Sequence, residues 1–169
     1  MRKKENNFAY IDGNNLYRGV GASHWKIDLT RFRRWLKDKY QVSKAYYFIG
    51  LITKNKDLYA ALQDAGFILV FKKVVYYGKG SPKGNCDTDL VLQSVKDIYE
   101  KKCDRQIIVT SDGDYSSLVK FLLTKKKLKV ILSPGNKDKC SILLKRTDAP
   151  ITYLEDVKEK ISLKRKSPR

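Results

Sequence analysis

The chain has 169 residues and carries 36 Lys and Arg against 18 Asp and Glu, a formal net charge of +18. Its hydrophobic fraction of 42% and aromatic fraction of 11% are typical of one globular domain and exclude a disordered chain. No apolar run approaches the roughly 18 residues that cross a membrane, and no apolar segment follows the basic N-terminus as in a secretory signal. We therefore expect a cytoplasmic protein.

Apolar runs and helical periodicities alternate along the chain. In chain order they predict a strand at Phe8–Asp12, a helix from Asp28 to Tyr40, a strand at Ala45–Gly50, a helix around Leu58–Ala65, a strand within Phe67–Tyr77, a helix at Asp87–Lys101, a strand at Gln106–Thr110, a helix at Asp114–Lys125, a strand at Lys129–Ser133 and a helix at Asp138–Lys145. Residues 151–161 follow as a short extended piece and a closing helix. This alternation predicts an α/β fold, an open parallel sheet covered by helices on both faces. Residues 1–162 are expected to form a single domain, and residues 163–169 a disordered basic tail.

Carboxylates recur at the points where strands end and helices begin. Asp12 ends the first strand, Asp112 and Asp114 follow the fourth, and Asp87 opens the helix between the third and fourth. Ligands of open α/β sheets bind outside the carboxyl ends of the strands, so these four side chains are expected to gather at one edge. Residues two apart on a helix face opposite ways, which directs Asp87 inward and Asp89 outward.

Each carboxylate also has a structural explanation. An Asp in the first turn of a helix satisfies unpaired backbone N–H groups, and singly this is the more frequent reason for Asp87 or Asp114. Asp112 could cap a helix or form an Asx turn. Asp12 has the weakest explanation of this kind, because a strand end rarely needs a carboxylate. The four together favour a functional site.

A cluster of carboxylates repels itself unless protons or a cation are present. Oxygen ligands at an open edge suit Mg²⁺ or Mn²⁺, and such an ion stabilises charge on a phosphoryl group under attack. A basic surface attracts polyanions, most often nucleic acid. Together the two charge patterns predict metal-dependent chemistry on a phosphate backbone, with nucleic acid as the partner.

Three stretches, "YIDGNNLY", "KGNCDTDL" and "VTSDGDYSSLV", resemble the signature blocks of NYN domains, and most closely those of the LabA-like branch of the PIN-like nuclease superfamily. The resemblance runs in order from Phe8 to Ile161 and includes the closing segment "CSILLKRTDAPITYLEDV". It implies a Rossmann-like three-layer sandwich with a five-stranded parallel sheet of order 3-2-1-4-5. It also implies a metal-dependent endoribonuclease, or a descendant of one, and allows a homodimer.

The resemblance also assigns residues. Asp12 corresponds to the first metal-binding Asp, and Asn15 to the Asn that shapes the site. Asp87 corresponds to the acidic residue that opens the middle helix, and Asp112 and Asp114 to the two acids of the "SGDSDF"-like block. In two departures from the pattern, "KGNCD" is one residue longer than usual, and a Ser follows Thr110 where glycine is common.

Several further side chains are candidates for contact with RNA. Lys79 and Lys83 lie in the glycine-containing segment "GKGSPKGN", and Arg18 follows the first acidic block, next to Tyr17. Hydrogen bonds from Asn15 and Ser111 are expected to tune the pocket. For the lysines, a solvated flexible loop is an equal alternative, and for Tyr17 so is core packing.

Other classes of function are less compatible with the sequence. His24 is the lone histidine, and the spacing of Cys86, Cys103 and Cys140 suggests neither a disulfide framework nor a zinc site. A Toprim-like domain needs a Glu near the first strand and a dehalogenase-type phosphatase a DxD motif, and "IDGNN" offers neither. The main alternative to a ribonuclease is a noncatalytic RNA-binding or regulatory module on the same fold.

Overall fold

The computed structural model describes residues 4–73 and 87–164 of the chain. Its six strands form one parallel sheet of order β3-β2-β1-β4-β5-β6. They are β1 Asn7–Asp12, β2 Val42–Gly50, β3 Ile68–Lys72, β4 Gln106–Val109, β5 Leu128–Ser133 and β6 Ile151–Tyr153. The expected order of five strands is confirmed. The expected strand number is corrected by β6, the extended piece near the C-terminus, which pairs with β5 and widens the Rossmann-like, PIN-like sheet.

Helices cover both faces of this sheet. In chain order they are α1 Gly13–Gly21, α2 Leu29–Tyr40, α3 Lys56–Asp64, α4 Asp87–Tyr99, α5 Ser116–Thr124, α6 Ile142–Lys145 and α7 Lys158–Ile161. One core contains apolar side chains of α1, α2, α3 and α7, and the other contains those of α4, α5 and α6. None of the helices in the described ranges is long and apolar enough to cross a membrane.

Local signals in the sequence account for several helix ends. The Asp28 carboxylate accepts the backbone N–H of Arg31 at 3.0 Å and caps α2, as its position predicts. Gly66 follows α3 with φ of +94°, a left-handed conformation that glycine adopts without a steric penalty. Asp28 therefore fixes the start of α2, and Gly66 fixes the end of α3.

Three helices differ from the sequence-based expectation. Helix α1 begins directly after β1, where the sequence analysis lists no element between Asp12 and Asp28. Helix α5 begins at Ser116 rather than Asp114, because residues 113–115 form a 3₁₀ turn first. The expected helix at Asp138–Lys145 is two short pieces, since Cys140 has an extended backbone (φ −79°, ψ 132°) between a 3₁₀ turn and α6.

The sheet register places the ends of β1 and β4 side by side. Both strands are buried along their whole length, and Ile11 pairs with Val109 at the last registered position. Asp12 therefore stands next to the turn that follows β4, the turn that carries Asp112 and Asp114. The two central strands thus bring the acidic motifs together at the carboxyl edge of the sheet.

Candidate metal centre

Three carboxylates from two separate elements meet at the carboxyl edge. Asp87 is the first residue of α4, whereas Asp112 and Asp114 belong to the turn after β4. Each offers one carboxylate oxygen, and these three oxygens all lie within 4.8 Å of one another. Asp114 is exposed and lies in the 3₁₀ turn before α5, whereas the sequence analysis expected it to begin that helix.

Asp12 is the buried neighbour of this cluster, with only 6% of its surface exposed. Burial raises the pKa of its carboxyl group to about 6, and the negative charges of Asp87 and Asp112 add to the effect. A hydrogen bond from the backbone N–H of Asn15, 3.1 Å from Oδ1, acts in the opposite direction and makes Asp12 the cap of α1. The capping explanation, which the sequence made weakest for Asp12, therefore does apply to it, because α1 starts directly after β1.

Tyr115 connects Asp12 to the cluster, and the sequence analysis missed it. Its hydroxyl oxygen lies 2.6 Å from Asp87 Oδ1 and 3.4 Å from Asp12 Oδ2, and its ring is fully buried. Burial, followed by the charge of Asp12, raises the pKa of Tyr115, so the hydroxyl stays protonated and donates to a carboxylate. The only signal for this residue was its position directly after Asp114, where an aromatic side chain usually indicates core packing.

Asn15 and Ser111 tie α1 to the acidic turn. The Asn15 side-chain oxygen accepts from the backbone N–H of Ser111 at 2.8 Å and from its hydroxyl at 2.9 Å. Ser111, in the place where glycine is common, thus adds a second hydrogen bond to this link. The structure brings both residues to the site, as the sequence analysis expected, but in a role that fixes the shape of the turn.

Hydrogen bonds and close packing fix the shape of the turn that carries Asp112 and Asp114. The Asp112 backbone N–H donates to the Thr110 hydroxyl at 3.1 Å, and Asp112 Oδ1 accepts from the backbone N–H of Asp114 at 3.0 Å. A Cβ on Gly113 would collide with the Ser141 hydroxyl and lie 3.0 Å from Leu143 Cδ1, so α6 packs against a position that only glycine fits. One oxygen of Asp112 is therefore used inside the turn.

The donor set fits a small divalent cation. Carboxylate oxygens are the ligands that Mg²⁺ and Mn²⁺ prefer. Oxygens on opposite sides of an octahedral Mg²⁺ are about 4.2 Å apart, because each lies about 2.1 Å from the ion. Three oxygens within 4.8 Å are close to that spacing without a change of backbone. A cation here would also offset the repulsion that contributes to the raised pKa of Asp12.

The remaining candidates lie around this cluster or outside the described residues. Asp89 points away and forms an ion pair with Lys72 at 3.6 Å, as its helical position predicts. Arg18 is exposed on α1, and Tyr17 beside it is 78% exposed, so the alternative of core packing for Tyr17 is wrong. Lys79, Lys83 and Cys86 lie outside the described residues. Cys103 and Cys140 are buried free thiols.

Comparisons with known proteins agree with this architecture. Residues 9–154 match the NYN domain family. No curated protein matches the sequence. A solved structure of a protein of unknown function from Vibrio parahaemolyticus is similar to the chain, with a TM-score of 0.78 and 22% sequence identity. The match covers 96% of this chain and 99% of that one, and at this identity it shows a shared fold.

Proposed function

The chain belongs to the NYN domain family, and we propose that it is a metal-dependent ribonuclease that hydrolyses phosphodiester bonds of RNA at the carboxyl edge of its sheet. The observation that carries the proposal is the meeting of Asp87, Asp112 and Asp114 within 4.8 Å. Asp12 lies next to this triad and shares the Tyr115 hydroxyl with Asp87. Structural caps alone do not need to converge, so the convergence favours a shared ligand.

In this proposal the four carboxylates hold Mg²⁺ or Mn²⁺. The bound cation supplies charge stabilisation at the phosphoryl group and lowers the pKa of water. Asp112 and Asp114 belong to one turn and Asp87 to the start of α4, so the ligands of the ion would come from two separate elements. Tyr115 orients the Asp87 carboxylate by donating to it, and Asn15 keeps the acidic turn against α1.

The surface around the site supports a polyanionic substrate. The net charge of +18 recruits the phosphate backbone that an isolated acidic pocket would repel. Arg18 is exposed on α1, the helix that Asp12 caps, and in this proposal it contacts a phosphate. The exposed ring of Tyr17 offers a surface on which a base can stack. Lys79 and Lys83 stay predictions for the same role.

A cleavage assay tests the proposal. Purified protein is incubated with an end-labelled RNA and a DNA of the same sequence in EDTA, Mg²⁺ or Mn²⁺. We expect RNA cleavage in either metal, no cleavage in EDTA, and loss of cleavage in Asp112→Asn. The matched control is Asp89→Asn, which removes a carboxylate from α4 outside the triad and should keep activity.

RNA binding without cleavage in any divalent metal, equal in both variants, would contradict the proposal. It would support the noncatalytic RNA-binding module instead, and the carboxylates would then be inherited architecture.

We further infer that the chain belongs to the LabA-like branch. The support is the closing segment "CSILLKRTDAPITYLEDV", which contains α6 and β6.

A further inference from the structure

Helix α2 has one buried stripe and an unusually basic remainder. Phe32, Leu36 and Tyr40 recur every four residues and are buried in the core. Outside this stripe, the helix sequence "LTRFRRWLKDKY" contains one acidic residue, Asp38, and five cations: Arg31, Arg33, Arg34, Lys37 and Lys39. Burial of the apolar stripe requires none of these charges.

Two of the five arginine and lysine side chains donate hydrogen bonds within the fold, all of them to carbonyl groups. Of the other three, Lys39 lies over the Tyr40 ring, with Nζ 5.8 Å from the ring centroid. Arg33 donates to the carbonyl oxygens of Gly66, Val42 and Ser43 at 3.1, 3.3 and 2.9 Å. Arg31 donates to the carbonyl oxygens of Ser162 and Glu159 at 2.7 and 3.2 Å. Because carbonyl groups are neutral, both positive charges persist at the surface.

The other cations are exposed. Arg34, Lys37 and Lys39 lie on the solvent side of α2, and Lys160 joins them from α7, which packs on α2. Within residues 4–73 and 87–164, none of these four side chains forms an ion pair with a carboxylate. We call this surface the α2–α7 basic face, defined by Arg31, Arg34, Lys37, Lys39 and Lys160.

Four of the five residues of the α2–α7 basic face line a shallow open cavity, and Lys37 lies outside it. The volume of the cavity is about 460 Å³, and it is lined by Arg31, Arg34, Trp35, Asp38, Lys39 and Lys160. The Trp35 ring is half-buried and held by stacking on Phe32, with a centroid distance of 6.2 Å, and by an edge contact with Tyr40 at 5.3 Å. The cavity therefore has an aromatic floor beneath cationic side chains, an arrangement that suits a nucleic-acid strand.

We propose that the α2–α7 basic face is a second RNA-docking surface, which binds the phosphodiester backbone away from the acidic edge. Helix α2 leads into the start of β2, so its C-terminal cations lie towards the amino end of the sheet, opposite the carboxylates. Its 12 residues span about 18 Å, enough to contact several successive phosphates. The choice of RNA as the polyanion rests on the proposed function.

The test measures binding of a fluorescently labelled single-stranded RNA by anisotropy in EDTA, from about 50 to 200 mM salt. The face variant carries Arg34→Gln, Lys37→Gln, Lys39→Gln and Lys160→Gln. The matched control removes four exposed cations from the other side of the sheet, through Lys96→Gln, Lys101→Gln, Lys120→Gln and Lys125→Gln. Circular dichroism confirms that both variants are folded.

We expect the face variant to bind RNA about 10- to 100-fold more weakly at low salt, and the control variant less than about 3-fold. The slope of log affinity against log salt should fall by about 2 to 3 in the face variant, at about 0.7 per phosphate contact on a single strand. In a second variant, Asp38→Asn, loss of the one carboxylate in the cavity should strengthen binding about 2-fold.

Equal losses in the face variant and the control variant would overturn the proposal, as would unchanged affinity in Asp38→Asn. Competition by poly-glutamate as effective as by RNA of equal charge would overturn it too, and would indicate an acidic protein as the partner. These outcomes are independent of cleavage. If the protein cleaves RNA but the face variant binds RNA as tightly as wild type, this inference alone is wrong. If the face variant binds RNA more weakly but the protein shows no metal-dependent cleavage, the proposed nuclease activity alone is wrong.

Discussion

The two ends of the central sheet each hold a carboxylate whose pKa is shifted, and the two shifts have opposite directions. At the amino end, Glu5 accepts from Asn7 and Lys129, at 2.8 and 2.9 Å, and pairs with Arg105. These partners, first Asn7, then Lys129 and Arg105, lower the pKa of Glu5 to about 2. At the carboxyl end, burial and two neighbouring carboxylates raise the pKa of Asp12 to about 6.

The difference separates a structural carboxylate from one that we propose to be functional. Glu5 brings together cations from the starts of β4 and β5, so its charge is compensated within the fold. Among the described residues, the hydrogen-bond neighbours of the Asp12 carboxylate are a backbone N–H and, at 3.4 Å, a tyrosine hydroxyl, and neither carries a positive charge. A charge that the fold itself does not compensate is available to an external cation.

The largest effect on activity is expected from removing one of the clustered carboxylates at the carboxyl end of the sheet. Asp112→Asn should lower RNA cleavage at least about 100-fold, because loss of residues that merely support metal ligands already costs 10- to 100-fold. Initial rates with end-labelled RNA in Mn²⁺ measure the effect. Asp89→Asn, a carboxylate already paired with Lys72, is the control and should stay close to wild-type activity. A similar loss in both variants would erase the distinction between the two kinds of carboxylate.

The next effect is expected at the structural end. Glu5→Ala should lower the free energy of unfolding by about 1–2 kcal/mol, because it removes two partly exposed ion pairs, with Arg105 and Lys129, and a hydrogen bond from Asn7. Chemical denaturation at pH 7 measures it, with the exposed Glu159→Ala as the control. Cleavage by folded Glu5→Ala should be unchanged, and a selective loss of activity would contradict a purely structural role.

Asp12→Asn should act in the opposite direction on stability. Without metal at pH 7, it should raise the free energy of unfolding by about 1–2 kcal/mol, because an amide keeps the helix cap and avoids burying a charge. Cleavage should fall at the same time. Denaturation in EDTA measures the stability gain, and a loss of stability in Asp12→Asn would show that the buried charge is compensated after all.

The pH dependence of stability should distinguish the two carboxylates. The raised pKa of Asp12 contributes stability that is fully present below its ordinary value of 3.8 and is lost as the pH rises to about 6. The lowered pKa of Glu5 contributes stability that is present above 4.5 and is lost as the pH falls towards 2. The advantage of Asp12→Asn over wild type should therefore vanish near pH 4 and reach its full size above pH 6. An advantage that does not change with pH would contradict this assignment.

The smallest effect is expected from the hydroxyl between Asp12 and Asp87. Tyr115→Phe should lower stability by about 1 kcal/mol and cleavage by up to about 10-fold, because the Asp87 carboxylate loses its donor. The "SGDSDF"-like block has Phe at this position, so the variant should fold. The measurement is the pH profile of cleavage, whose acid limb should shift in Tyr115→Phe. A general loss of activity without such a shift would indicate a packing role instead.

The acidic edge could be predicted from the sequence because it depends on long-range order that strand patterns reveal. Once β1 and β4 are neighbours, Asp12 and the turn after Thr110 must be close, whatever the local details. The same reasoning placed Asp87 inside the cluster and Asp89 outside it, since residues two apart on a helix face opposite ways.

The details that escaped prediction depend on single contacts. Helix α1 begins with Gly13, a weak helix former, and depends on the Asp12 cap and on close packing: a Cβ at Gly13 would lie 2.7 Å from the Phe48 carbonyl oxygen. Strand β6 was expected as a short extended piece, but its three residues are too few to reveal that it pairs with β5. Tyr115 reads as an ordinary core residue until the positions of two distant carboxylates around its hydroxyl are known.

A titration with Mn²⁺ tests most directly whether the carboxyl end of the sheet is a metal centre. Calorimetry on wild type, Asp112→Asn and Glu5→Ala compares the two ends of the same sheet in one experiment. We predict that wild type and Glu5→Ala bind Mn²⁺ with the same affinity, and that Asp112→Asn binds it at least about 10-fold more weakly. Equal affinity in all three proteins would show that any bound Mn²⁺ lies elsewhere and would contradict the account.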